Sequence, residues 1–529
     1  MLRKINQVTR PPSRKAARIK DFMLCVLSAI LLILSFPRTN FWILAWFGFV
    51  PVFFALNNKS QKEAFFLFFI TGIIFWSGII YWLAHVTLFG TILLILYLAL
   101  YFGIFGLIIR PCTKHSAPYA MVFIPSVWVL LEYIRGHLIT GFPWALLGYS
   151  QYINLPVIQI ADITGVWGVS FLLMSANVAI VEIIWSVKRR LWPRLRTVVI
   201  IVTPFLFLTL YYGYSRLYLA PRTYHLAPIK ISVVQGNIPQ ELKWAPAAGS
   251  YILDKYAELT AQAARLSPDL LVWPEASSPE LLGEGGSAFE KIFSLAKAAK
   301  TSLLIGAVVN ENNKYFNSAL LINNQGKVTR RYDKLHLVPF GEYIPLKRIL
   351  PFLETIVPIG DINPGREYSI FELEYPLAHE LMDSSASRAQ KVKFAVLICF
   401  EDLFPELSRE FVRRGANFLL NITNDAWYKK TSAPYQHLQA SVFRAVENRV
   451  FLVRSANTGV SGFIDPKGRI ISKVADEFGR DIFVDGVDTQ KIAVSDKPLT
   501  AYTRYGDIFI VVCVLFVLYG IIRKFCALG

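Results

Sequence analysis

The sequence predicts a multi-span α-helical membrane domain joined to one soluble α/β domain. Of its 529 residues, 54% are hydrophobic and 17% are charged, a balance typical of membrane proteins. The formal net charge is +18, yet residues 222–505 contribute only +3 of it and the remainder contributes +15. The excess positive charge therefore accompanies the apolar segments, which argues against nucleic acid as a partner, because a nucleic-acid footprint would lie on the folded domain.

Eight apolar runs are long enough, or nearly long enough, to cross a bilayer. They lie at residues 20–36, 41–56, 64–84, 91–109, 119–135, 165–187, 197–217 and 507–522. The first two runs are short and adjacent, which fits either a tilted hairpin or a re-entrant pair. We therefore predict a transmembrane domain of seven spans over 1–221, a soluble domain over 222–505 and a C-terminal transmembrane helix within 506–529.

The loops between the apolar runs predict the orientation of the chain. Lys and Arg cluster before the first run, near residues 59–62 and 110–114, over 188–196 and at 523–524. The alternate loops, 86–90 and 136–164, contain neither residue type. By the positive-inside rule, both termini are cytoplasmic and the 222–505 domain is outside. In a bacterium, this arrangement predicts a multi-pass protein of the inner (cytoplasmic) membrane with a periplasmic domain.

From residue 229 onward, short β-branched runs alternate with amphipathic helical stretches. Strands are predicted at 229–234, 270–273, 303–309, 319–322, 394–398, 418–422 and 451–454, and helices at 247–266, 287–299, 403–414 and 434–448. We expect a hairpin about residues 465–468, and we interpret the polar break at 373–391 as a loop insertion. This alternation is typical of a layered α/β fold.

Three predicted strands end on side chains that can take part in chemistry. Pro274 ends the first strand in front of Glu275, the second delivers Lys334, and the third leads directly to Cys399 before a helix. Each feature alone is commonly structural, since acids and amines at strand ends are often solvated. Together they supply a carboxylate, an ammonium and a thiol, which is a set suited to acyl transfer.

The chemistry of these groups suggests how they cooperate. A helix N-terminus and a neighbouring ammonium can stabilise the Cys399 thiolate, while a carboxylate in apolar surroundings can act as its base. The Lys334 ammonium and the backbone N–H of Phe400 are candidate donors to an oxyanion. Neither His336 nor His437 is predicted to be the base. Cys399 is the one cysteine within 222–505, so this domain holds no internal disulfide, and no metal-binding spacing occurs.

At these residues the sequence resembles the nitrilase superfamily, through Trp273-Pro-Glu275, Asp333-Lys334 and Cys399-Phe-Glu401. Further motifs are similar to the apolipoprotein N-acyltransferase family, the membrane-integrated branch, and the resemblance covers almost the whole chain. These motifs are Val234-Gln-Gly-Asn-Ile-Pro239, residues 332–345, residues 398–401, Asn424-Asp-Ala-Trp427 and Arg454-Ser-Ala-Asn-Thr-Gly459. The resemblance implies an αββα sandwich for the soluble domain.

The resemblance also implies roles for individual residues. Cys399 matches the family's nucleophile, Glu275 its general base, and Lys334 the group that stabilises the tetrahedral intermediate. Supporting or substrate-binding positions are matched by Glu342, a second carboxylate, and by Trp244 and Glu401. The last two have plainer interpretations as a lid aromatic and as an acid at a helix N-terminus.

Two positions depart from the family pattern. Phe400 stands where the family often has Tyr, so any role of that hydroxyl is absent here. Lys429 follows the Asn424 motif where Gly is more usual, which predicts a different conformation for the next loop.

The reaction implied by the resemblance has two steps. A phospholipid acyl donor, typically phosphatidylethanolamine, acylates Cys399 as a thioester, and the α-amino group of a diacylated apolipoprotein then accepts the acyl chain. No metal and no diffusible cofactor is expected. Residues 349–353 and 356–359, with Pro351, Pro358 and Pro364, are interpreted either as a flexible rim that dips towards lipid or as ordinary core.

Two other functions remain open from the sequence. A membrane-tethered nitrilase-type amidase would use the same triad, with water discharging the thioester of a small amide. A transporter or lipid-binding scaffold with an inactive outer domain would tolerate loss of the Cys399 thiol. The acceptor distinguishes the first alternative, and a Cys399→Ala variant distinguishes the second.

Overall fold

The structure, a computed structural model, describes residues 14–111, 117–219, 228–243, 245–282, 287–343, 362–376, 389–494 and 498–526. Its N-terminal part is helical. The helices there are α1 (Arg14–Leu34), α2 (Val50–Ala55), α3 (Gln61–Ile79), α4 (Leu88–Ile109), α5 (Ala117–His137), α6 (Leu155–Ile158), α7 (Ala161–Thr164), α8 (Val166–Lys188) and α9 (Trp192–Tyr214). Each predicted apolar run falls on helical structure, which confirms a helical membrane region.

Within the described residues, four helical segments are long and apolar enough to cross a membrane. They are Gln61–Ile79, Leu88–Ile109, Val166–Lys188 and Trp192–Leu219, while Trp42–Ala55, Leu155–Thr164 and Ile508–Ile522 are shorter apolar helices. In α9, Ile200 is 70% exposed and Phe207 is 65% exposed. Exposed apolar side chains on a long apolar helix are typical of a lipid-facing surface. The count of eight crossings stays a prediction.

The second part of the chain contains two six-stranded sheets among its described residues. Its strands are β1 (Ile229–Gln235), β2 (Leu270–Val272), β3 (Ser302–Glu311), β4 (Lys314–Ile322), β5 (Val328–Asp333), β6 (Phe371–Pro376), β7 (Ala389–Ile398), β8 (Phe418–Thr423), β9 (Phe451–Ala456), β10 (Gly462–Ile464), β11 (Ile470–Lys473) and β12 (Gly486–Ile492). The orders are β12-β1-β2-β3-β4-β5 and β11-β10-β9-β8-β7-β6. The remaining helices are α10 (Gly249–Ala264), α11 (Ser287–Ala299), α12 (Pro405–Arg413), α13 (Ala433–Asn448), α14 (Ala501–Tyr505) and α15 (Ile508–Cys526).

The two sheets pack face to face, with helices outside them. Val233 and Val272 point into the core between the sheets, whereas Leu271 and Trp273 join the separate core beneath α10 and α11. Ser455 on β9 donates a hydrogen bond to the Val234 carbonyl in the other sheet, at 3.0 Å. This alternation of faces confirms the αββα sandwich.

Strand direction brings the carboxyl ends of several strands to one edge. β1, β2 and β3 run parallel, and β5 shares their direction because two antiparallel pairings separate it from β3. In the second sheet, β7, β8 and β9 are also parallel. Side chains that follow β2, β5 and β7 can therefore meet.

The prediction of a loop at 373–391 is wrong at both of its ends. β6 pairs antiparallel with β7, and the alternation of Phe371, Leu373 and Tyr375 with acidic residues is a strand pattern. Residues 377–388 between them lie outside the described residues. β12 was not predicted, because this edge strand is mostly half-buried and carries no apolar run.

Buried polar contacts attach the sandwich to the helical region through α13. Gln436 accepts hydrogen bonds from the indoles of Trp82, at 3.0 Å, and Trp144, at 2.8 Å. At the other end of α13, Arg449 forms an ion pair with Asp162 at 2.8 Å. Because buried polar groups are costly without partners, these contacts fix the position of the sandwich against the helices.

Gly306 on β3 offers a test of the close approach between β3 and the segment after β2. An added Cβ would lie 2.6 Å from the Glu275 Cα and from the Pro274 carbonyl oxygen. We expect Gly306→Ala to destabilise the protein by about 2 kcal/mol and lower its Tm in detergent. Gly249→Ala is the control, because the nearest atom there is 4.0 Å away. An unchanged Tm for Gly306→Ala would contradict the packing described here.

Candidate active site

Three strand ends converge on one buried site. Glu275 follows β2, Lys334 follows β5 and Cys399 follows β7, as the sequence predicts. The Lys334 Nζ lies 3.6 Å from Glu275 Oε1, and both residues carry charges that act on the Cys399 thiol. Relative exposure is 1% for Lys334, 7% for Glu275 and 9% for Cys399. The carboxylate, ammonium and thiol thus share one enclosed space.

Glu342 and Asn317 complete the surroundings of Lys334. The Lys334 Nζ lies 2.9 Å from Glu342 Oε2. Asn317 donates from its Nδ2 to Glu275 Oε1 and to Glu342 Oε1, both at 2.8 Å, so one amide bridges the two carboxylates. Burial opposes the charge of Lys334, but the carboxylates of Glu342 and Glu275 outweigh it and raise its pKa.

Sequence reasoning singled out Glu342 but missed Asn317. The available signal was an amide side chain among the aromatic and apolar residues of β4, where a buried polar residue needs a specific partner. Only the register of β4 against β3 and β5 shows which carboxylates it reaches.

Cys399 lies in a tight turn with φ of +53°, in the left-handed region that non-glycine residues rarely adopt. Burial is the main cause that raises the pKa of its thiol, and the negative charge of Glu275 adds to it. Stabilisation of a Cys399 thiolate by a helix N-terminus stays a prediction. Helix α12 begins at Pro405, and a 3₁₀ turn over Cys399–Leu403 separates it from the thiol.

Glu401 ties the Cys399 turn to the segment that carries Lys334. Its Oε1 accepts hydrogen bonds from the Tyr332 hydroxyl at 2.8 Å and the Leu335 amide at 2.7 Å, and its Oε2 accepts one from the Ile398 amide at 2.7 Å. Burial raises the pKa of Glu401 to about 7. The side chain is fully buried, so its contacts here are with the protein itself.

Phe400 packs in an aromatic group rather than facing solvent. Its ring lies 5.3 Å from that of Phe404, 6.2 Å from His336 and 6.5 Å from Phe142 of the helical region. Donation by the Phe400 backbone N–H to an oxyanion stays a prediction. Lys429 has φ of +52°, a conformation that glycine favours, so lysine occupies a glycine-type turn.

Some predicted positions lie outside the described residues. These are Trp244 and the segments 349–353 and 356–359, with Pro351 and Pro358. In the part of the chain that the structure does describe, no three His, Cys, Asp or Glu side chains are arranged to hold a metal ion.

Lys243 is a second buried lysine that the sequence reasoning did not single out. It is 3% exposed, and its Nζ donates a hydrogen bond to the Glu275 carbonyl oxygen at 2.8 Å. Burial lowers the pKa of Lys243 to about 8, against the opposing charges of Glu275 and Cys399. Lys243 directly precedes Trp244, which the family resemblance places at the active site. That adjacency, in the loop after β1, was the available signal for Lys243.

Beneath the nucleophile turn, polar groups hold the Cys399 carbonyl oxygen. This oxygen lies 3.2 Å from His437 Nε2 and 3.1 Å from Asn421 Nδ2. His437 lies on α13, as predicted, and Asn421 lies on β8. These contacts fix the backbone of a residue whose own φ is unfavourable.

His437 lies between two buried carboxylates and therefore cannot act as the base. Its Nε2 is 2.8 Å from Asp402 Oδ1, and its Nδ1 is 3.0 Å from Asp425 Oδ1. Arg454 contacts both of these carboxylates, at 2.9 and 3.5 Å. Burial opposes the imidazolium, but the charge of Asp402 outweighs it and raises the pKa of His437 to about 9. The cluster thus balances two cations against two anions.

The raised pKa of His437 predicts how stability depends on pH. Because the unfolded value is about 6.5, the charged form stabilises the fold fully below that pH and its contribution disappears as pH rises through about 9. We expect the Tm of the wild type to fall between pH 6.5 and 9.5. His437→Gln should be less stable at pH 6, by on the order of 3 kcal/mol, and show a flatter profile.

His85→Gln is the matched control for this measurement, because His85 is exposed and should keep the wild-type profile. A His437→Gln profile parallel to the wild type would contradict the charged state assigned to the buried imidazole.

Two family models match separate parts of the chain. A family model described as the Apolipoprotein N-acyltransferase N-terminal domain matches residues 28–179, and one described as Carbon-nitrogen hydrolase matches residues 230–495. An apolipoprotein N-acyltransferase of Geobacter metallireducens is 39% identical, over 96% of this chain and 95% of that protein. One from Pasteurella multocida is 29% identical, over 93% of this chain and 92% of that protein.

Solved structures similar to this chain include members of the nitrilase superfamily. A mutant of the Nesterenkonia amidase from the nitrilase superfamily is 19% identical with a TM-score of 0.36, over 54% of this chain and 96% of that chain. A Saccharomyces cerevisiae member of branch 10 of that superfamily is 20% identical with a TM-score of 0.37, over 50% and 90%. From its family-model matches and curated relatives, this chain belongs to the apolipoprotein N-acyltransferase family of the nitrilase superfamily.

Proposed function

We propose that this protein transfers an acyl chain from a membrane phospholipid, with phosphatidylethanolamine as the expected donor, to the N-terminal amine of a diacylglyceryl-cysteine lipoprotein. The observation that carries the proposal is the convergence of Glu275, Lys334 and Cys399 in one buried site. The sandwich that carries this site contacts the apolar helices. This contact supports the proposal further, because both substrates are held in a bilayer. The names of the curated relatives agree with this reaction.

In the first step, the Glu275 carboxylate takes the proton of the Cys399 thiol as the sulfur attacks the ester carbonyl of the phospholipid. Burial raises the pKa of the Cys399 thiol, so a free thiolate is unfavourable in this site. Loss of the proton is therefore expected to accompany the attack, in which the sulfur's negative charge passes to the carbonyl oxygen. Lys334 stabilises the oxyanion of the tetrahedral intermediate. The bond from carbon to the glycerol oxygen then breaks, and Glu275 returns the proton to that oxygen, which releases a lysophospholipid.

In the second step, the neutral α-amine of the lipoprotein attacks the thioester carbonyl. Glu275 takes a proton from the nitrogen, the bond from carbon to sulfur breaks, and Glu275 gives that proton to the departing Cys399 sulfur. The products are an amide on the lipoprotein and the free thiol, so the enzyme is unchanged after each cycle. In this scheme Glu342 and Asn317 keep Lys334 charged and aligned, and no metal or cofactor takes part.

Cellular placement belongs to the same proposal. We place the sandwich in the periplasm, with both chain termini in the cytoplasm of the bacterium and the seven-span and single-span regions on either side of it. The positive loops support this orientation. The apolar exposed faces of helices such as α9 support placement in the membrane.

The acyl-enzyme is the first test of the proposal. Purified protein incubated with phosphatidylethanolamine should gain a fatty-acyl mass that hydroxylamine removes and that a diacylglyceryl-cysteine peptide discharges. Cys399→Ala should gain none, Cys399→Ser should form no hydroxylamine-labile thioester, and Glu275→Gln should acylate at least 100-fold more slowly. Intact-protein mass spectrometry measures each species.

Two results of this experiment would count against the proposal. Discharge by water as fast as by the peptide, with ammonia released from small amides, would favour the amidase. Acceptor modification that persists in Cys399→Ala would favour a site elsewhere in the chain.

Topology is tested by labelling single cysteines in intact cells. In a variant whose five native cysteines are replaced by serine, Phe478→Cys, at a position 74% exposed on the sandwich, should react with a membrane-impermeant maleimide. Arg189→Cys, in the exposed loop after α8, should react only after the membrane is permeabilised. Reversed labelling would overturn the periplasmic assignment.

A further inference from the structure

A cavity of about 410 Å³ opens next to the active site, between the end of α5 and the segments that follow β5. Leu335 lines it and directly follows Lys334, while Tyr343 lines it and directly follows Glu342. The cavity therefore shares its chain segments with the groups around Lys334. Glu275, Lys334 and Cys399 do not themselves line it, so a molecule held here would contact the segments that carry the site rather than the reacting groups.

Phe404 gives the cavity a second connection to the site. Its ring forms part of the wall and packs 5.3 Å from Phe400, the neighbour of Cys399. The Phe404 ring also lies 3.7 Å from the imidazole of His336, tilted by 36°, and His336 Nε2 lies 3.0 Å from the Thr140 carbonyl oxygen. This wall is aromatic and built from both parts of the protein.

Most of the remaining lining is aliphatic. Ile139, Leu337 and Ile362 face the cavity together with Leu335. Ile139 is 66% exposed and lies just beyond the end of α5, on the side of the helical region. Such walls suit the hydrocarbon part of an amphiphile that enters from the bilayer side.

One carboxylate stands among these apolar groups. The Glu406 side chain, at the start of α12, is 33% exposed, and its Oε1 lies 4.0 Å from His137 Nε2, beyond hydrogen-bonding distance. Among the described residues that line the cavity, Glu406 is the one acidic residue, and none is Lys or Arg. Burial raises the pKa of the Glu406 carboxyl, which disfavours the carboxylate form. A cation bound beside Glu406 would stabilise that carboxylate.

We infer that this cavity binds the α-ammonium group of the lipoprotein acceptor, with Glu406 as the counter-ion and the aliphatic walls around the attached hydrocarbon. Glu406 supplies the carboxylate that an ammonium requires, and the aromatic residues Tyr343 and Phe404 line the same cavity. The inference rests on the proposed function, because it assigns a place to the second substrate of that reaction before its ammonium loses a proton to solvent and attacks as the neutral amine.

The chemistry of the lining favours the acceptor over the phospholipid donor. An ethanolamine head group also carries an ammonium, but a phosphate lies two carbons from it. A phosphate next to Glu406 would meet a like charge, and no described lining residue is a lysine or arginine that could pair with it. The diacylglyceryl-cysteine terminus combines an ammonium with apolar chains and has no phosphate.

Equilibrium binding to the full-length Cys399→Ala protein in detergent tests the assignment without any turnover. Two ligands are compared at pH 7, a diacylglyceryl-cysteine peptide with a free α-amine and the same peptide N-acetylated. We expect the free amine to bind about tenfold more tightly, and a further Glu406→Gln substitution to remove that preference. Phosphatidylethanolamine should compete with similar strength with and without Glu406→Gln.

Glu410→Gln is the matched control. Glu410 lies one turn along α12, is paired with Arg413 and Arg414, and does not line the cavity. This variant should keep the tenfold preference for the free amine. The Tm of each variant identifies any loss of affinity that comes from misfolding.

Two results would overturn the inference. One is a preference for the free amine that survives Glu406→Gln, and the other is a loss of affinity for phosphatidylethanolamine that equals or exceeds the loss for the free-amine peptide. Because the assay needs no acyl-enzyme, its outcome is separate from that of the acylation experiment. Failure of acylation with an intact amine preference would reject the proposed reaction while retaining the ammonium site.

Discussion

Pairing of the buried Lys334 ammonium with two carboxylates is the interaction on which the active site depends. At 1% exposure, an ammonium loses nearly all of its hydration and would give up its proton if no anion stood beside it. Glu342 at 2.9 Å and Glu275 at 3.6 Å supply the anions, and Asn317 keeps both carboxylates in place. Each of these charges is tolerated only because another element delivers its partner, so the ends of different strands must meet.

The nucleophile depends on a second buried cluster beneath it. A positive φ at a residue with a side chain costs on the order of 1–3 kcal/mol and persists only when neighbouring groups enforce it. Here His437 and Asn421 hold the Cys399 carbonyl oxygen, and Glu401 links the same turn to the Lys334 segment. The turn is thus fixed on both sides, which directs the thiol towards Glu275 and Lys334.

Attachment of the sandwich to the helical region fixes the position of the active site relative to the membrane helices. Gln436 is adjacent to His437 on α13 and accepts hydrogen bonds from Trp82 and Trp144 of the helical region. One helix therefore supports the nucleophile turn and docks the domain at the same time. The active site in the sandwich therefore keeps a fixed distance from the apolar helices. A substrate anchored in a bilayer can reach the site only if this distance is fixed.

The sequence by itself determined the apolar helices, the alternation of strands and helices, and the strand ends that carry Glu275, Lys334 and Cys399, because these follow from local periodicity and from breakers such as Pro274. Sequence reasoning missed the edge strands β6 and β12, and it missed the roles of Asn317 and His437. Those features depend on which distant segments become neighbours. The raised pKa of the Cys399 thiol was also decided by the tertiary structure alone, since burial and the charge of Glu275 cause it and neither is written in the residues next to it.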